Sequence, residues 1–293
     1  MKFPKFWAKV LLNEESTDES LAESSVGCWG WSEVSMEDAR NRARERVRAM
    51  AAALSRGQNV RLQRYEYGER PLREIVLQEW RGPEDAIRAA ITRNGYGCEV
   101  LNTAGAMFVD VDLPQASAFS SFTRGIRSMF RKDSGPSPQE QLEAAAMAKL
   151  HQLVSLDPRC SVRVYRTHSG LRYLLTHSPA EPNSEATWRA MEVLGADPLY
   201  VRLCKNQECF RARLTPKPWR CGSYALRTRY PYEDQKAEAE VDRWIQQYTR
   251  KSNGYATCAF IQQLGSGFIH PEIGDLVQLH DERTLALSDL PLA

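Results

Sequence analysis

The sequence predicts an α+β fold, and three observations carry that reading. Short runs of aromatic and β-branched residues recur along the chain, as strands require. Between them lie stretches whose apolar residues return every three or four positions, as helices require. The two kinds mix throughout, with no internal repeat, so the expected architecture is a mixed or antiparallel sheet core with flanking helices.

The elements follow in order. Residues 5–12 (KFWAKVLL) and 26–31 (VGCWGW) read as strands, and Trp29 and Trp31, two apart, as a core aromatic pair. Ser35 suits a helix N-cap, followed by Glu37 and Asp38 in the first turn. Ala39, Ala43, Val47, Met50 and Leu54 then keep helical spacing up to Gly57. The opposite face carries Arg40, Arg42, Arg44, Arg46 and Arg48 among acids, and reads as a solvated face.

Residues 60–80 alternate at first like a strand and then fit either strand or helix, while 83–92 predict a short helix. Residues 96–101 and 106–112 predict a strand pair joined around Gly105. Residues 114–138 predict a loop containing FSSFTRGIRSMFRK, read as a short insertion packed on the body. Ser137-Pro138-Gln139-Glu140 is a capping box with proline at the first helical position, so a helix runs from 138 to about 154. Strands at 160–166 and 171–177 and helices at 185–194 and 234–250 follow; 208–214 and 255–264 are ambiguous. Strands 106–112, 160–166 and 171–177 are expected in one sheet, with the helix from 138 packed on it.

The bulk properties narrow the class. The 293 residues carry a net charge of only +2, too little to argue for nucleic-acid binding from charge alone. No run reaches the 18 or more apolar residues of a membrane span, and MKFPKFWAKVLLNEES lacks the apolar core of a signal peptide. Seven cysteines, an odd number in a chain with ample core, predict reduced thiols and a cytoplasmic protein. Cys204, Cys209 and Cys221 are spaced C-x4-C-x11-C; the tight C-x2-C pair usual at zinc is absent, and ordinary buried thiols are the expectation. The C-terminal HPEIGDLVQLHDERT, with His270, Glu272, His280 and Asp281, reads as a surface segment.

One stretch stands apart. In "AMFVDVDLP" (106–114), Asp110 and Asp112 interrupt an apolar strand. Residues i and i+2 of a strand project to the same side, so the two carboxylates repel unless a cation sits between them. Oxygen ligands suit Mg²⁺ or Mn²⁺. The bland alternative is an edge strand whose acids meet solvent or arginines. Pro114 stands where D-x-D-x-T phosphatases carry threonine. No glycine-rich turn precedes the pair as in metal-dependent glycosyltransferases.

Over about residues 95–220 the chain resembles the archaeo-eukaryotic primase (primase-polymerase) superfamily. "MFVDVDLP" matches its hydrophobic D-x-D strand. "YRTHSGLRYLLTH" (165–177) stands where a small-x-His strand is expected, with Gly170-Leu171-Arg172 leading to Tyr173 at the histidine's place. "GADPLYVRLCKNQECFRARLTPKPWR" (195–220) resembles the third motif, an acid followed by a basic strand. The resemblance implies a core over 95–230, preceded by an α/β extension (1–94) and followed by a C-terminal helical segment packed on it (231–293). It implies Asp110, Asp112 and Asp197 as catalytic and metal-holding residues. Tyr173, Arg172, Arg211, Arg213 and Lys217 would be the nucleotide- and phosphate-binding ones. The partner implied is a nucleotide or nucleic acid, with metal-dependent nucleotidyl transfer as the activity; the alternative is a non-catalytic binding protein that keeps the fold. Between 202 and 220, Arg202, Lys205, Arg211, Arg213, Lys217 and Arg220 face a single acid, Glu208. Arg211 and Arg213, at i and i+2, are expected to aim at one cleft. A solvated basic edge strand is the other reading of this run.

Overall fold

A computed structural model describes residues 1, 3–15, 27–56, 71–113 and 136–293. The segment FSSFTRGIRSMFRK, Gly57 and residues 58–70 lie outside the described residues. The chain divides between Leu72 and Arg73 into two compact units.

In the first unit, β1 (Phe6–Leu11) and β2 (Gly27–Ser32) form an antiparallel pair in which Trp7 lies opposite Trp31. Their rings pack at 6.0 Å, and the Arg46 guanidinium stacks 4.6 Å over Trp31. Helix α1 (Met36–Ser55) starts where the sequence places it, with the Ser35 hydroxyl accepting from the Asp38 amide. Ala39, Ala43 and Val47 are fully buried, completing the apolar stripe. Gly30 lets the helix approach the hairpin: a Cβ there would lie 2.0 Å from the Ala39 carbonyl oxygen.

The second unit contains two four-stranded antiparallel sheets. The first has the order β3 (Ile75–Arg81), β4 (Ile87–Arg93), β5 (Glu99–Thr103), β9 (Phe210–Arg213). The second has the order β10 (Cys258–Gly265), β7 (Ser161–Thr167), β8 (Gly170–Leu175), β6 (Phe108–Asp112). The helices are α2 (Pro138–Leu156), α3 (Glu185–Leu194), α4 (Pro198–Gln207), α5 (Gln235–Ser252) and α6 (Pro271–Thr284). The fold is therefore α+β with antiparallel sheets. The expected sheet of 106–112, 160–166 and 171–177 is present, and both halves of the Ser137–Glu140 capping box are made. Ala146 and Leu150 of α2 enter the same apolar core as Val162, Val164 and Tyr173, and Arg166 of β7 pairs with Glu143 of α2. The two ambiguous segments are strands β9 and β10.

Three expectations are corrected. Residues 83–92 are not a helix: a 3₁₀ turn at Pro83–Asp85 leads into β4, a central strand with Ala89, Ala90, Ile91 and Thr92 all buried. A short apolar run buried on both faces mimics helical periodicity. Residues 96–101 and 106–112 do not pair with each other. After β5 the chain crosses at Ala104-Gly105 to the other sheet, where β6 pairs with β8 instead. Finally, HPEIGDLVQLHDERT is not a surface segment; it forms α6, with His280 wholly buried and Asp281 nearly so.

Strands β3 and β4 precede residue 95 yet share a sheet with β5, so they belong to the second unit. Its two sheets meet at a seam held by Tyr200 of α4. The buried hydroxyl donates to the Phe108 carbonyl on β6 (2.7 Å) and accepts from the Arg211 amide on β9 (3.4 Å). Among the described residues no helix is long and apolar enough to cross a membrane.

Candidate functional site: an acid wall facing a cation wall

Beside this seam lies a cleft of about 320 Å³ lined by Asp110, Asp112 and Asp197 and by Arg213, Lys217 and Arg220. The acids come from two elements. Asp110 and Asp112 end the edge strand β6. Gly170 lies opposite Asp112 because any Cβ there would sit 2.0 Å from the Val111 carbonyl oxygen. Asp197 is the N-cap of α4, its carboxylate accepting from the amides of Leu199 and Tyr200. Its own amide donates to the Asp110 carbonyl (3.0 Å), which fastens the helix start to the acid strand. The three acids named from sequence thus line one cleft, although Asp197 enters as a helix cap.

Their environments differ sharply. Arg172, directly opposite on β8, grips both Asp110 oxygens, through Nε at 2.7 Å and Nη2 at 3.0 Å. Among the described residues Asp112 has no such partner. Its carboxyl is held above its usual range, first by partial withdrawal from solvent and then by Asp197 and Asp110.

The cations follow β9 into the turn at Pro218–Arg220. The Nη1 atom of Arg213 is buried without a hydrogen-bond partner among the described residues. Burial lowers its pKa first, and Arg172 adds to the shift. Lys217 and Arg220 are lowered as well, by burial and then by Arg213. Arg220 is steadied by a bond to the Ser169 hydroxyl (2.7 Å). Three partly buried cations thus share one wall, with Asp112 opposing the shift at Lys217 and Arg220, and an anion with several oxygens would offset their loss of solvent.

Other residues named from sequence stand elsewhere. Arg211 does not reach the cleft; it is buried in a pair with Glu74 (2.8 and 3.0 Å) and donates to Asn102. Arg172 is buried under Asp110. Tyr173 does not face the acids. On β8 it pairs with Val109, so it points away from Asp110 into the core behind, its hydroxyl buried without a partner among the described residues. The register places Arg172, not Tyr173, on the acid side, because alternate strand residues take opposite faces.

Sequence reasoning counted Arg220 in the basic run without placing it at the site, passed over Ser169, and read His280 as part of a surface segment. Ser169 was visible as the residue before Gly170. No local signal marks His280, whose role depends on a contact 108 residues away with Arg172.

The donors on the acid wall are oxygens only, which suits a hard cation. Among the described residues, however, no three His, Cys, Asp or Glu side chains converge on a point that could hold a metal. The same holds for the cysteines, which are all free thiols. Mg²⁺ commonly takes part of its ligand set from substrate phosphates. No family model, no curated protein and no solved structure matches this chain.

Proposed function

We propose that the cleft binds the phosphates of a nucleotide or of a nucleic-acid end. The observation that carries this reading is Arg213, which lines the cleft with one nitrogen buried and, among the described residues, without a hydrogen-bond partner, beside two further cations. An anion with several oxygens relieves that charge, and phosphate oxygens match the guanidinium fork. The facing acids suit a divalent ion that arrives with the phosphates, held by Asp112 and Asp110. Such an ion would shield phosphate charge and align an attacking hydroxyl, the basis for proposing metal-dependent nucleotidyl transfer. A second reading is binding without transfer. It is favoured by Arg172, which grips both oxygens of Asp110 and leaves Asp112, among the described residues, as an acid without an arginine partner.

Thermal shift with inorganic triphosphate and with nucleoside triphosphates, each with and without Mn²⁺, tests the proposal. Ligand at about 100 times its dissociation constant should stabilise the protein by about 2.7 kcal/mol. No stabilisation by any of these ligands sinks the phosphate reading. Stabilisation without pyrophosphate release, when Mn²⁺, nucleoside triphosphate and an oligonucleotide are supplied together, selects binding over transfer.

A further inference from the structure

Behind the acid wall runs a buried polar chain that the sequence does not announce. Asp281 of α6 accepts from the Tyr165 hydroxyl (2.7 Å) and from Arg163, and lies 3.1 Å from His280 Nδ1. An ionised carboxylate only accepts, so the proton of this imidazole resides on Nδ1 and Nε2 carries the lone pair. That lone pair faces Arg172 Nη1 at 3.3 Å. The same Nη1 donates to the Arg213 carbonyl (3.0 Å), while Nε and Nη2 hold Asp110. The guanidinium is thereby gripped on three sides, by β6, by β9 and by α6.

The arrangement separates two groups that would otherwise attract. Asp110 and Arg213 line the same cleft and sense each other's charge. A carboxylate free to turn would pair with Arg213 and neutralise the cation wall. We infer that His280, acting through Arg172, is a positioning residue that keeps Asp110 off the cation wall and so keeps the cleft receptive to phosphate. The inference rests on the phosphate reading for its consequence, but its geometry is testable without ligand. His280 is not among the residues that line the cleft. Its place in the chain depends on one acceptor atom, Nε2, which faces Arg172 Nη1 at 3.3 Å and has the Cys258 thiol beside it at 3.9 Å.

Three variants of the full chain test this. H280L removes both ring nitrogens. H280N keeps a polar group near the Nδ1 position but withdraws the acceptor from Arg172, and it takes the place of H280L if that variant does not fold. H280Q returns an acceptor near the Nε2 position. Two quantities are read for each: hydrogen exchange of the Arg172 Nε–H by ¹⁵N NMR in the absence of ligand, and affinity for inorganic triphosphate with chelator present so that no metal takes part. The expected result is exchange at least tenfold faster and triphosphate affinity at least tenfold weaker in H280L or H280N. Both quantities should lie within about threefold of the parent in H280Q, even where H280Q melts as low as the others. A purely structural role would make affinity follow melting temperature across the set. That outcome, or unchanged Arg172 exchange in H280L or H280N, overturns the inference. If the parent chain itself fails to bind triphosphate, the phosphate reading falls, and the exchange data alone decide whether His280 positions Arg172.

Discussion

Arg172 and Asp110 face each other across β8 and β6 as a two-pronged ion pair, with the guanidinium wholly buried and the carboxylate at the cleft. That pair makes the two aspartates of the D-x-D stretch unequal. Asp110 is compensated by an arginine; Asp112 is crowded by two acids. The substitution D110N should destabilise the protein by about 3–5 kcal/mol, because it leaves a buried guanidinium without its counter-charge. D112N should leave stability unchanged or raise it. The raised carboxyl pKa means the folded state binds protons more readily than the unfolded one, so stability falls as pH rises through the window above 3.8. D112N removes that fall. Urea melts at pH 4 and pH 7 separate the two variants, and equal losses for both would contradict the geometry.

His280 predicts the opposite pH trend. Its pKa is pushed down to about 4, chiefly by burial, from 6.5. The unfolded state therefore binds more protons between these values, and stability is lost as pH falls from 6.5 towards 4. The imidazole is fully buried, so the effect is of the order of 3 kcal/mol. Melting curves of the parent and H280Q across this range test it: the slope attributable to this residue should vanish in H280Q.

The two arginines of β9 should respond in opposite ways. R213M removes an uncompensated charge and should keep or raise stability while weakening triphosphate binding by about 1.5–3 kcal/mol. R211M should leave binding nearly intact but destabilise by about 3–5 kcal/mol, since Glu74 is left buried without its counter-charge, keeping the Thr92 hydroxyl as a donor. Calorimetry of both variants with triphosphate, beside their denaturant melts, checks the pair. Equal binding losses would place Arg211 at the cleft and refute the separation.

Tyr200 joins the two sheets through one hydroxyl. Y200F leaves the Phe108 carbonyl and the Arg211 amide without that bond in a buried setting. A loss of about 1–3 kcal/mol is expected, with faster amide exchange of Arg211 as the local signature. A neutral Y200F would show that the seam is held by apolar packing alone.

Tyr173 gives the reverse case. Its buried hydroxyl has no partner among the described residues, so Y173F should be neutral or stabilising. Y173H should destabilise without raising triphosphate affinity, because the ring points into the core and not at the acids. Improved binding in Y173H would mean that β8 presents the other face.

By itself the sequence determined much of this protein. Helices α1 and α2 were legible because a serine cap precedes each, and strands β6 to β8 because apolar residues alternate or run continuously between turn signals. The acids of the cleft were legible as a set: two sit in one strand, and the third opens a run rich in cations. These are short-range properties, carried by neighbours within a few positions. Strand partners and side-chain destinations are not. Residues 96–101 and 106–112 read as a hairpin, yet β5 lies between the neighbouring β4 and the distant β9, and β6 pairs with β8, beyond α2 and β7 in the chain. Arg172, Arg211 and Arg213 are chemically alike, and only the tertiary structure decided that two are sealed by Asp110 and Glu74 while the third lines the cleft with, among the described residues, no such pair. The physical reason is that a buried charge takes its role from whichever counter-charge the fold brings within hydrogen-bond reach, and for these residues that partner comes from a distant part of the chain.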